Sequence, residues 1–143
     1  MSRRGRTATR AIRLRAFLVA LTWAALAAAG TYLDRAGILV RQARSEADYL
    51  EYRLSDHELA QLIHRMTVAR LSAARDMPIP KEVIQAHPHL LLMLENCERA
   101  ADAAETGANQ RFVVYQRRAR DEEQIFRSIM RQFGFPLEDE KKK

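Results

Sequence analysis

The side chains able to do chemistry are few: four histidines and one cysteine in 143 residues. His87 and His89 flank Pro88, and with Glu95 or Cys97 downstream they form the group whose types best suit a divalent metal. Zinc sites ordinarily present ligands at i, i+4 or as Cys-x-x-Cys, and these residues show neither spacing. His87 is therefore expected to cap a helix start around Pro88, with His89 solvated, and the pair is kept only as a weak metal candidate. His57 and His64 are seven residues apart, two turns along one helix face, and read as surface or interface side chains. Cys97 lies among Leu94 and Ala101 on an apolar stripe, where a thiol is buried and inert.

Carboxylates form two clusters, Asp121-Glu122-Glu123 and Glu138-Asp139-Glu140, one on a helical pattern and one in a charged tail. Neither lies in a recognisable cleft, so neither supports acid–base catalysis. Glu122 occupies a seam position of its helix, where an apolar residue would stabilise more. It is expected either to pair with Arg118 four residues earlier or to act as a buried polar group that fixes register or meets a partner's arginine. With no catalytic or cofactor motif, the expectation is a protein that binds rather than an enzyme, with no cofactor.

The elements that position these residues begin with residues 16–33, AFLVALTWAALAAAGTYL, a run without a charge. Six arginines and no acid precede it: Arg3, Arg4, Arg6, Arg10, Arg13 and Arg15. At 1.5 Å per residue the run reaches roughly 27 Å, close to a hydrocarbon core of about 30 Å. The basic flank predicts a single-pass anchor of the cytoplasmic (inner) membrane, N-terminus inside and bulk outside. Two other readings stay open: a cleaved signal ending near Ala27-Ala28-Ala29, and an Arg-rich organelle transit segment. Ala16, Ala20, Ala24 and Ala28 recur every four residues and would line a small-residue face for helix pairing in lipid.

The flank also accounts for the net charge of +6. Of the 24 Lys and Arg, 18 follow the run, matched by all 18 Asp and Glu. A neutral domain with interleaved signs lacks the footprint that phosphate binding needs, so nucleic acid is not an expected partner.

After Asp34 the pattern is helical throughout, and the predicted fold class is all-α. A long helix is expected over about 35–75, with Ala36, Val40, Ala43, Ala47, Leu50 and Leu54 on one stripe and Tyr52, Leu59, Leu62, Met66, Ala69 and Ala73 continuing it. Met77-Pro78-Ile79-Pro80 stops it. A second helix begins near Pro80 or Pro88 and ends before Gly107. A third follows a turn capped by Asn109, carries Phe112, Tyr115, Ala119, Glu122, Phe126, Ile129 and Phe133 on its seam, and stops at Gly134.

These last two make an antiparallel hairpin with Ala104 facing Phe112, Ala101 facing Tyr115, Cys97 facing Ala119 and Leu94 facing Glu122. Packed on the long helix, the hairpin gives a three-helix bundle over 34–136, with 1–15 a basic flank and 137–143 a solvated tail. The long helix should overshoot the hairpin and leave Val40 to Leu54 uncovered for a partner.

The expected function is thus a membrane-anchored helical interaction module, an accessory or assembly subunit that binds another membrane protein or itself. Leu50, Leu54, Phe112, Glu122 and Phe126 are its core or contact candidates. A periplasmic sensor or metal-binding module using the histidines is the alternative.

Overall fold

The computed structural model describes residues 6–137 in backbone and 29–137 in side chains. Four α-helices follow one another: α1 (Arg6–Glu51), α2 (His57–Arg75), α3 (His87–Glu105) and α4 (Asn109–Gln132), with a single 3₁₀ turn at Lys81–Val83. The all-α expectation holds. Among the described residues no helix is long and apolar enough to cross a membrane. The basic flank falls largely, and the side chains of Ala16, Ala20, Ala24 and Ala28 entirely, outside what is described, as do tail residues 138–143.

The expected 35–75 helix is two helices. Residues 52–56 leave the helical path through turns closed by Arg53 N–H to the Leu50 carbonyl (2.9 Å) and Asp56 N–H to the Arg53 carbonyl (2.9 Å). Asp56 then caps α2, its Oδ1 accepting from the Leu59 amide at 3.0 Å. A capping side chain contributes about 1 kcal/mol to a helix start, enough to place the break where neither glycine nor proline does. The described part of the chain is therefore a four-helix, up-down-up-down bundle rather than a three-helix one.

Chain reversal also removes the expected overshoot. The C-terminal part of α1 is covered by the bundle, with Ala36, Val40, Ala43 and Leu50 all buried. The stripe from Val40 to Leu54 is therefore core, apart from the half-buried Ala47 and Leu54. Helix α3 is central, packing on α1, α2 and α4. Its alanines Ala100, Ala101, Ala103 and Ala104 let neighbouring backbones approach closely.

Both hairpin glycines end helices in Schellman geometry. Gly107, at φ +72, donates to the Ala104 carbonyl while Ala108 donates to that of Ala103; Gly134, at φ +81, repeats this with Arg131, and Phe135 with Met130. The expected Asn109 cap is not formed: Ala108 occupies the cap position and offers no side-chain bond.

Beyond α4 the chain turns back so that Leu137 is buried against α1, close to Gly37. Leu137 therefore belongs to the core and not to the solvated tail.

The core has two parts. The base, where α1 enters the bundle, gathers Tyr32, Val40, Leu71, Val83, Leu90, Leu94, Phe126, Met130 and Leu137. The tip gathers Leu50, Ala60, Ile63, the α3 alanines and Phe112. Between them on α1, α2 and α4 stand polar side chains, Glu46, Arg70 and Gln116.

Candidate interaction face

Helix α2 carries two apolar stripes, one turned into the bundle together with Thr67 and Arg70 and one turned to solvent. Its buried face carries Ala60, Ile63, Thr67, Arg70, Leu71 and Ala74. On the other side Leu62 and Met66 are 54% and 41% exposed, and Ala69 and Ala73 are exposed beside them. At 3.6 residues per turn the two faces point roughly 120° apart. Leu59, Leu62, Met66, Ala69 and Ala73 follow steps of three, four, three and four, the a/d pattern of a helix that receives another helix. The sequence marks this stripe as a seam, as expected, but the bundle leaves all but the half-buried Leu59 in the open.

Close packing against α3 explains the rotation. Ala60 and Ile63 sit against the α3 alanines, and the rotation turns Arg70 inward, where its Nη2 lies 2.6 Å from Glu46 Oε1 on α1. The pair is imperfect, for Glu46 Oε2 and Arg70 Nη1 are buried without a hydrogen-bond partner.

A fully buried carboxylate belongs to Glu123, whose Oε1 accepts from Arg127 Nε at 2.7 Å and lies 3.4 Å from Arg44 Nη1 of α1. Gln116, also buried, donates to Glu51 Oε2 at 2.9 Å. The inward seam of α4 is thus Phe112, Gln116, Ala119, Glu123, Phe126 and Met130. It shares Phe112, Ala119 and Phe126 with the expected seam and replaces Tyr115, Glu122 and Ile129 by their C-terminal neighbours.

Glu122 itself is half-buried and bonded to His89 Nδ1 at 2.7 Å, not to Arg118, whose guanidinium lies over the Tyr115 ring at 5.7 Å. Leu50, Phe112 and Phe126 are enclosed in the core, and Leu54 packs at the tip.

The histidines each have a structural partner. His87 is buried at the start of α3, its Nδ1 3.1 Å from the Tyr32 hydroxyl. Burial holds its pKa below the usual histidine value. His89 turns instead to Glu122, so the two rings flanking Pro88 face different partners and do not converge. Among the described residues no group of three or more His, Cys, Asp or Glu is arranged to hold a metal ion.

His57 Nδ1 lies 3.1 Å from the Glu105 carbonyl. His64 is clasped by Glu105 Oε2 at 2.6 Å and Glu98 Oε1 at 3.1 Å. Burial alone would lower the His64 pKa, but these two hydrogen bonds and the negative charges behind them outweigh it and raise it. The Glu105 carboxyl is correspondingly lowered by its bond to His64. The Cys97 thiol is buried, which pushes its pKa up to about 12 and leaves it unreactive.

No family model matches the chain, and neither does any curated protein or solved structure.

Proposed function

We propose that the chain is a single-pass, membrane-anchored helical interaction module, N-terminus inside and bundle outside, that serves a membrane complex as an accessory or assembly subunit. Support for the anchor comes from the uncharged 16–33 run behind six arginines.

The binding role rests on one observation, the a/d stripe of α2 turned to solvent while a different set, Ala60, Ile63, Thr67, Arg70, Leu71 and Ala74, fills its inner face. An apolar stripe of this length is costly to expose and marks an interaction site. Its spacing suits an amphipathic helix laid along α2, supplied by another membrane protein or by a second copy. Four helices with pairwise-bonded polar side chains serve as scaffold for that face.

The test is a double substitution, Leu62→Glu with Met66→Glu, in the tagged full chain recovered from gently solubilised native membranes. Both side chains are exposed, so the melting midpoint should stay within the range of ordinary surface changes, about 0.5 kcal/mol in stability. The stoichiometric partner, or the dimer, recovered with the parent chain should fall at least tenfold. A partner retained equally by the variant, or a parent chain that is alone and monomeric at every concentration, would refute the reading.

A further inference from the structure

The bundle's base carries a second apolar feature. A groove of about 350 Å³ opens there between α1 and the α2–α3 connection, lined by Thr31, Tyr32, Arg35, Met77, Pro78, Ile79 and Pro80. Ile79 is 40% exposed between its two prolines, and Ile84 is 57% exposed just beyond the 3₁₀ turn. The segment is held firmly from beneath, because Met77, Val83 and Ala86 are buried and the Tyr32 hydroxyl meets His87. These isoleucines therefore cannot fold inward, and proline at 78 and 80 removes two amides that would otherwise seek partners.

The position of this segment along α1 decides what covers it. It lies level with residues 31–35, where the uncharged run ends at Leu33 and the first charges, Asp34 and Arg35, appear. Ala29 and Tyr32 are already buried, so the bundle reaches back over the last turn of the run. Residues 16–28 alone would span only about 20 Å at 1.5 Å each, well short of a hydrocarbon core of about 30 Å. The helix can cross only if its last turn also lies in the bilayer, and whatever is packed on that turn goes with it.

We infer that the Met77–Ile84 segment rests in the outer leaflet boundary of the bilayer, with Ile79 and Ile84 entering the acyl region. The inference rests on the anchor reading above. Residues 31–35 and 76–84 carry three acids, Asp34, Asp76 and Glu82, against two cations, Arg35 and Lys81, so the attraction is apolar burial rather than recognition of anionic headgroups.

The full chain is reconstituted into phosphatidylcholine vesicles with an environment-sensitive fluorophore at Ile79→Cys. A comparison chain carries it at Asn109→Cys, the first residue of α4, at the opposite end of the bundle. Cys97 is buried and stays unlabelled in the folded chain. Emission from position 79 should be blue-shifted relative to position 109, quenched by lipids brominated near the headgroup, and unchanged by salt. Water-like emission at 79 in a chain that resists alkaline carbonate extraction would overturn this placement alone. Release of the chain by carbonate would overturn the anchor and the placement together.

Discussion

Replacing Arg70 by methionine tests the arrangement on which the interaction face depends. The Arg70 side chain is 6% exposed and its Nη2 lies 2.6 Å from Glu46, whose side chain is 18% exposed. Removing it leaves a carboxylate in the interior with one oxygen that had no hydrogen-bond partner to begin with. Breaking one side of a buried pair costs about 3–5 kcal/mol, and the partial exposure of Glu46 puts the expected loss near the lower figure, about 3 kcal/mol. At about 4–8 °C per kcal/mol for a domain of this size, the midpoint should fall by roughly 12–24 °C. Adding Glu46→Leu removes the stranded charge, and the double variant should return to within about 1 kcal/mol of the parent. Urea unfolding of the full chain in mild detergent, followed by far-ultraviolet circular dichroism, gives the stabilities of the parent, both single variants and the double. A single-variant loss below about 1 kcal/mol, with the double equal to the sum of the singles, would mean that Arg70 is solvated. Helix α2 would then be rotated, Leu62 and Met66 would face inward, and the proposed docking stripe would not exist.

Phe126→Ala empties a fully buried site in the base core and should cost about 3–5 kcal/mol in the same unfolding assay. Gly134→Ala places a Cβ at φ +81 and should lower stability by about 1–2 kcal/mol; Gly134→Asn should lose less, because asparagine tolerates a left-handed backbone better than alanine does. The raised pKa of His64 favours its protonated form in the folded chain. Its contribution is complete below the unfolded value of about 6.5 and disappears as pH rises through the folded one. The stability gap between parent and His64→Gln should therefore shrink as pH rises above about 6.5. His87 is lowered and behaves oppositely, its neutral form being favoured on folding, so His87→Gln should remove a loss of stability that sets in as pH falls below about 6.5.

Punctuation in the chain was readable where it was made of proline and glycine. Pro78 and Pro80 stop α2's direction, Pro88 lies in the first turn of α3, and Gly107 and Gly134 close α3 and α4 in left-handed conformations. The break at 52–56 rests instead on Ser55-Asp56 followed by Glu58, a capping signal that an uninterrupted apolar rhythm conceals. Rhythm also shows which residues share a face without saying which way the face points. On α2 the set Ala60, Ile63, Leu71 and Ala74 competes with Leu59, Leu62 and Met66, and the choice is made by the alanines of α3, distant in sequence. The one-residue shift on α4 has the same origin. Gln116 and Glu123 are polar, and their burial is made acceptable by Glu51 and Arg44, from a helix more than sixty residues earlier, together with Arg127 one turn on from Glu123. The contacts of His64 with Glu98 and Glu105 are legible only once α2 and α3 lie side by side.

The division of the core by polar side chains also governs how the bundle opens. The tip relies on Leu50, Ile63 and Phe112 among alanines, whereas the base holds most of the large buried side chains. Two apolar bodies joined through charged and amide groups lose contacts in separate steps more readily than one continuous body, so they should behave as distinct cooperative units. Amides around the α3–α4 turn should exchange with solvent deuterium first, and those near Leu90 and Phe126 only with global unfolding. The bundle therefore breathes at the end farthest from the 16–33 run, and the end that meets the run stays shut.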